Sequence, residues 1–139
     1  MTAIKWTLLV AAAVCMPQTA SAQLRAKADV ACRPTDTTLR YDCTITLMNS
    51  RTSEPLSGVT LTVGADMPSM PMMHNVRPVA ATPGAQAGTY QARLTLEMHG
   101  DWALQLNLSG PLRDRVVTTL RFDPDKVAPA TKAPPRHKH

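Results

Sequence analysis

The chain has 139 residues, a formal net charge of +5 at pH 7 and only 4% aromatic residues. This length suits a single domain, whose core must rely on Leu, Val, Ile and Met. Much of the positive excess lies near the C-terminus, at Lys132, Arg136 and Lys138, and no basic stripe is interleaved with aromatic side chains. Composition and charge therefore give no support to nucleic-acid binding.

The first 22 residues have the pattern of a cleaved export signal. Lys5 precedes an apolar run over 6–14, and the small residues 20–22, Ala-Ser-Ala, form a cleavage site. The run is far shorter than the roughly 20 residues that span a bilayer. We therefore expect a signal peptide over 1–22, a periplasmic mature chain that begins at Gln23, and no membrane span after cleavage. A lipoprotein attached through Cys15 and an uncleaved anchor are the alternatives.

Two cysteines, Cys32 and Cys43, remain after the predicted signal peptide. Exported proteins meet an oxidising environment, which favours disulfide pairing. If Thr37 and Thr38 form a two-residue turn, a hairpin places the two cysteines opposite each other. We expect one disulfide. A thiolate metal site is the alternative, although the spacing is not that of a CxxC motif.

Short segments with alternating apolar and polar residues follow one another through the mature chain. This period of two is typical of half-buried strands, and turns that contain Gly or Pro separate the segments. The alternating segments are 41–47, 59–63, 90–98, 102–108 and 116–122, with weaker ones at 28–32 and 76–81. About seven strands predict an all-β, immunoglobulin-like antiparallel β-sandwich over 23–123. An eight-stranded barrel is the alternative.

The strand pattern stops after Phe122, at the sequence Asp-Pro-Asp. Residues 124–139 are rich in Pro, Ala and Lys and lack the apolar side chains that would offset the entropy of ordering. We predict a disordered tail over 124–139. His137 and His139 at its tip are expected to be solvated, with weak capture of a divalent ion as the alternative.

One segment of the predicted sandwich has a composition that indicates chemistry. Residues 66–74, Asp-Met-Pro-Ser-Met-Pro-Met-Met-His, hold four of the six methionines that follow the predicted signal peptide. The two prolines disfavour helix and strand, so the segment should be a loop. Thioethers suit Cu(I), and imidazole suits copper in either oxidation state. The candidate copper ligands are Met67, Met70, Met72, Met73 and His74.

Two other interpretations of this loop stay open. Methionine is a flexible apolar residue that fills cores or forms adaptable binding surfaces. A core role would bury part of the cluster. A docking role without metal would present it to a partner protein, such as a copper-trafficking, oxidase-assembly or efflux component.

A second candidate group follows at Met98, His99 and Trp102. Alternation continued from the preceding strand would point Met98 and Trp102 inward and His99 outward. His99 could join the metal site only if this turn lies at the same end of the sandwich as the loop. A Cu(II) site built from His74 and His99 is a further alternative.

No familiar enzyme signature is visible in the sequence. GxSxG, HExxH and a Gly-rich phosphate loop are all absent from the 139 residues. The Asp-rich calcium pattern is absent as well, and we interpret Asp66 and Asp101 as turn carboxylates. We therefore expect a protein without catalytic activity.

Four pieces of the sequence together resemble the FixH-like or YtkA-like domain family. They are VTL at 59–61, MPSMPM at 67–72, GTYQA at 88–92 and MHGDW at 98–102. In that family a strand leads into an M-P-x-M-P loop, and a G-x-Y-x-A strand and an M-x-G-x-W turn follow. The resemblance implies an immunoglobulin-like sandwich outside the cytoplasmic membrane and a role in copper handling. The ligand positions that it implies are Met67, Met70, Met72, Met73 and His74. The pair Cys32–Cys43 is not part of the shared pattern.

Overall fold

The computed structural model describes residues 23–74 and 76–131. This part of the chain forms nine strands and no helix, so none of its segments could cross a membrane as a helix. The predicted signal peptide and the histidines at 137 and 139 lie outside the described residues. The strands are β1 (Ala26–Pro34), β2 (Arg40–Asn49), β3 (Thr60–Asp66), β4 (Val76–Ala80), β5 (Thr82–Pro83), β6 (Thr89–Thr95), β7 (Gly100–Ser109), β8 (Asp114–Phe122) and β9 (Val127–Pro129).

Two antiparallel sheets pack face to face, which confirms the predicted all-β sandwich. Sheet A has the order β1-β2-β6-β5, and sheet B has the order β4-β3-β7-β8-β9. Side chains alternate between solvent and core along each central strand, so each strand gives one face to the interior. The largest fully buried side chains are Trp102, Tyr41, Tyr90, Phe122, Ile45, Leu47, Leu61, Leu94, Leu104 and Leu106. Each such side chain contributes about 1.5–3 kcal/mol by leaving water.

The hairpin of β1 and β2 carries the expected disulfide. Cys32 is paired with Cys43 in the ladder, and their sulfur atoms are bonded. Arg33 pairs with Asp42 and Pro34 with Tyr41, as the count inward from the cysteines predicts. The predicted register of this hairpin is therefore confirmed.

The turn of this hairpin differs from the prediction. The Thr35 N–H donates to the Arg40 carbonyl at 3.0 Å, and the Arg40 N–H donates to the Thr37 carbonyl at 3.1 Å. Leu39 takes a left-handed φ of 62°. The Thr35 hydroxyl also accepts the Thr37 N–H at 3.2 Å, a local bond that favours a wider loop. The tight turn is therefore centred on Thr38 and Leu39, and the prediction of a two-residue turn at Thr37 and Thr38 is wrong.

The prediction of a disordered tail begins too early in the chain. The Asp123 N–H donates to the Lys126 carbonyl at 2.9 Å, so the Asp-Pro-Asp segment makes a turn. β9 then pairs with the end of β8, with Phe122 opposite Val127. The edge of β8 still offers backbone groups that need partners, which explains why a segment without strand alternation is ordered there. Residues 132–139 lie outside the described part.

Candidate metal site at one end of the sandwich

The loop after β3 and the turn before β7 lie at the same end of the sandwich. Asp66, the last residue of β3, pairs with Ala103 near the start of β7. Gly100 has a φ of +139°, and a Cβ added there would lie 3.0 Å from Cε of Met67. Glycine thus permits a close approach between the two segments. The turn that carries His99 therefore lies at the same end of the sandwich as the loop, as a shared site would require.

Two consecutive turns fold the loop. The Met70 N–H donates to the Met67 carbonyl at 3.1 Å, and the Met73 N–H donates to the Met70 carbonyl at 3.3 Å. Met72 takes a left-handed φ of 65°, which costs a residue with a Cβ about 1 kcal/mol. This strained residue is also the most exposed methionine of the loop.

The loop methionines fall into an anchored pair and an exposed pair. Met67 is 4% exposed and belongs to the core, because it continues the inward alternation of Val63 and Ala65 in β3. Met70 is half-buried and packs against the same core. Met72 is 96% exposed and Met73 is 74% exposed. The side chain of Met67 therefore packs, as in the core interpretation, whereas Met72 and Met73 stand free of the sandwich.

His74 closes the loop and contacts the turn before β7. Its Nδ1 is hydrogen-bonded to Oε2 of Glu97. Its ring centroid lies 5.8 Å from that of Trp102, with the planes inclined at 58°. Glu97 was not among the predicted site residues. No sequence signal could connect two residues 23 positions apart whose contact depends on the sandwich.

The turn before β7 orients Met98 and His99 differently from the prediction. Met98 is 38% exposed, whereas His99 is half-buried, and its Nε2 atom is buried without a hydrogen-bond partner among the described residues. β6 ends at Thr95, so its alternation does not continue to residues 98 and 99. The predicted inward Met98 and outward His99 are therefore wrong. Trp102 is fully buried, as predicted.

His99 and Met67 both line a cleft of about 700 Å³. The Arg121 guanidinium also lines this cleft and donates to Asp101 at 3.3 Å and to Asp123 at 3.4 Å. The hydrogen bond to Asp101, its charge and then the contact with Asp123 raise the pKa of Arg121. The carboxylates of Asp101 and Asp123 therefore compensate the positive charge of Arg121 in this cleft. The lining does not include His74, so the two histidines have different neighbours.

The donors at the exposed part of the loop fit a soft, singly charged ion. Within residues 23–74 and 76–131, no group of three or more His, Cys, Asp or Glu side chains could hold a metal. A site at this end would therefore depend on methionine sulfur. Thioethers and a neutral imidazole carry no charge, and Glu97 supplies a single carboxylate beside them.

Comparisons with known proteins give one family and no individual relative. A family model described as YtkA-like matches residues 26–107, which is more than half of the chain. The matched segment runs from β1 into β7 and includes both the Met-rich loop and the turn before β7. No curated protein and no solved structure matches the chain.

Proposed function

Because the chain belongs to the YtkA-like family, we propose that it is an exported, non-catalytic protein that binds Cu(I) at the loop end of the sandwich. One observation carries this proposal: two adjacent thioethers, Met72 and Met73, are 96% and 74% exposed beside His74. Contiguous exposed apolar side chains commonly mark a binding site. Copper here is the cargo of the protein, either stored or handed to a partner in the exported compartment.

We assign the copper ligands to the accessible donors. These are the exposed thioethers of Met72, Met73 and Met98 and the Nε2 of the half-buried His74, with the half-buried Met70 as a further donor. Met67 anchors the loop in the core. Thioethers have no proton to lose, so sulfur ligation persists at acid pH, whereas His74 must be neutral to bind. Exposed thioethers also exchange ligands readily, which suits transfer of the ion to another protein.

Competition for Cu(I) against a chromogenic chelator tests this proposal. The mature chain from Gln23 is compared with the double variant Met72→Leu/Met73→Leu, which keeps side-chain size and apolarity but removes two sulfur atoms. Ascorbate is used as reductant so that the Cys32–Cys43 disulfide stays closed. Met48→Leu is the control, because Met48 is half-buried in β2 near its end away from the loop.

We expect the double variant to lose at least about tenfold in Cu(I) affinity, which corresponds to about 1.4 kcal/mol, while the control competes like the wild type. A double variant that competes as well as the wild type would refute the proposal.

A metal-free docking module is the second candidate, because the same exposure of Met72 and Met73 also suits an adaptable protein-binding patch. Under this function, the Leu variants should keep partner capture from a periplasmic extract, since apolarity is retained. Met72→Glu should abolish capture, because it places a charge in the patch. Loss of capture in the Leu variants would count against docking by apolar contact.

A further inference from the structure

The contact between His74 and Glu97 determines which imidazole nitrogen can bind a metal. Glu97 Oε2 is hydrogen-bonded to Nδ1 of His74. The Glu97 side chain is 49% exposed, so water solvates its carboxylate, and a carboxylate accepts hydrogen bonds but does not donate them. Nδ1 of a neutral His74 must then carry the ring proton. The lone pair of Nε2 is left free.

A second neighbour restricts the His74 ring. The Trp102 ring lies 5.8 Å away, centroid to centroid, and Trp102 is itself fully buried. Its Nε1–H donates to the Met98 carbonyl at 3.0 Å, which ties this wall to the turn that carries Glu97. The imidazole is therefore held between a carboxylate and an immobile indole. A metal-binding histidine is commonly oriented by such an outer partner.

The Glu97 charge is not neutralised by the nearby arginines. Arg77, Arg93 and Glu97 line one surface depression of about 270 Å³. Arg93 is already engaged by Asp42, with nitrogen–oxygen distances of 2.7 and 3.2 Å. Among the described residues, no ion pair joins Glu97 to either arginine. Its contact with His74 places the negative charge of Glu97 next to the loop, where it can balance a bound cation.

We propose that Glu97 is a positioning and specificity residue of the Cu(I) site. It holds the Nδ1–H of His74 so that Nε2 is available to the metal, and its single negative charge balances a monovalent cation among neutral donors. The substrate class is then the soft monovalent ions, Cu(I) and Ag(I), because a divalent ion would leave a net positive charge there. This inference rests on the proposed function. It adds Glu97 to the site and a charge rule, which is that the site prefers monovalent to divalent ions.

Two variants separate the roles of Glu97. Glu97→Gln keeps an amide oxygen that can accept the Nδ1–H bond but removes the charge, whereas Glu97→Ala removes both. Glu54→Ala is the matched control, because Glu54 is exposed in the connection after β2, away from the loop. Circular dichroism and thermal unfolding establish that each variant keeps its fold.

Nitrogen-15 NMR of the metal-free protein reads the His74 tautomer directly. We expect the Nδ1–H form in the wild type, in Glu97→Gln and in the control, and its loss in Glu97→Ala. Ag(I), which does not change oxidation state under these conditions, then reports affinity by competition. Glu97→Ala should bind it about ten- to a hundredfold more weakly, and Glu97→Gln should fall between Glu97→Ala and the wild type.

The outcomes distinguish the two proposals. If the wild type binds Ag(I), and Glu97→Ala keeps both the tautomer and the affinity, the role of Glu97 is overturned and the copper proposal stands. A wild type that binds neither Ag(I) nor Cu(I) overturns the copper proposal, and this inference with it. Equal selectivity for Ag(I) over Zn(II) in the wild type and in Glu97→Gln overturns the charge rule alone.

Discussion

Trp102 joins the hydrophobic core to the candidate metal site. It is fully buried, its indole N–H donates to the Met98 carbonyl, and its ring lies beside that of His74. Core packing thereby fixes both the turn that carries Glu97 and one wall of the imidazole. A change at Trp102 should affect stability and site geometry together.

Trp102→Phe removes the indole donor and part of the ring. The Met98 carbonyl then loses its partner and a small cavity forms, so the free energy of unfolding should fall by about 2 kcal/mol. Urea denaturation followed by circular dichroism measures the loss. Tryptophan fluorescence cannot follow it, because the variant lacks the only tryptophan after the predicted signal peptide. A loss below about 0.5 kcal/mol would mean that this hydrogen bond and ring contribute little.

The roles of individual methionines could be predicted only in part. The density of sulfur and proline at 66–74 identifies the loop. Met67 is buried because it continues the alternation of inward residues Val63 and Ala65 in β3. Extending the predicted alternation of 59–63 along the sequence would have identified it. The exposed Met98 could not be foreseen, because it depends on where β6 ends. The contact of His74 with Glu97 requires the complete fold.

At the scale of elements, Asp114 attaches the start of β1 to β8. The Ala26 N–H donates to its Oδ2 at 2.9 Å, and the Arg115 N–H donates to its Oδ1 at 2.8 Å. Burial raises the pKa of Asp114, but these two donors and the Arg25 guanidinium together outweigh it, so the pKa lies below its usual value. A lowered carboxyl pKa stabilises the fold above the unfolded-state pKa, and this contribution is lost as the pH falls through the folded-state value.

Asp114→Asn removes this pH-dependent contribution. We expect the variant to be about 1 kcal/mol less stable at pH 7, because two hydrogen bonds lose their charged acceptor. The gap to the wild type should narrow as the pH falls below about 4, because the Asp114 carboxyl of the unfolded chain then takes up a proton while the lowered pKa keeps the folded one ionised. Urea denaturation at pH 7 and pH 3 measures both gaps. A gap that is the same at the two pH values would contradict this assignment.

The disulfide stabilises the β1–β2 hairpin but lies outside the candidate site. Its two cysteines are 11 residues apart, and closing a loop of this size contributes about 3 kcal/mol in the chain-entropy model. Cys32→Ala/Cys43→Ala should therefore lower the free energy of unfolding by about 3 kcal/mol and leave Cu(I) competition unchanged. Weaker Cu(I) binding by the folded double variant would place sulfur from this pair in the metal site.

Strands with a buried face could be predicted from alternation, the edge strands β1 and β4 gave weaker signals at 28–32 and 76–81, and the short strands β5 and β9 gave none. β2, β3, β6, β7 and β8 each have an inward apolar series, so the sequence locates them to within a few residues. β5 and β9 are short and pair only at the margins of the sheets. Their order comes from backbone hydrogen bonds to a neighbour, which leave no periodic signal in the side chains.

At the scale of the whole molecule, the sandwich brings two distant segments to one end. The loop follows β3 and the Glu97 turn precedes β7, and these two strands are adjacent in sheet B. The family match covers both segments but ends within β7, whereas β8 and β9 complete the sheet beyond it. The pairing of elements, rather than either motif alone, creates the proposed site.

The predicted signal peptide over 1–22 is the feature that would place this site in the periplasm. If the signal is cleaved after Ala22, the intact mass of the protein recovered from the periplasm should correspond to a chain that begins at Gln23 with one disulfide. A protein that keeps residues 1–22, or that carries a lipid on Cys15, would support one of the two alternatives.

X-ray absorption at the copper edge of the Cu(I)-loaded mature protein tests the central claim most directly. We expect a Cu(I) ion with several sulfur neighbours and one nitrogen neighbour, and a smaller sulfur contribution in Met72→Leu/Met73→Leu. A first shell of nitrogen and oxygen alone, or a spectrum that the double variant leaves unchanged, would contradict it.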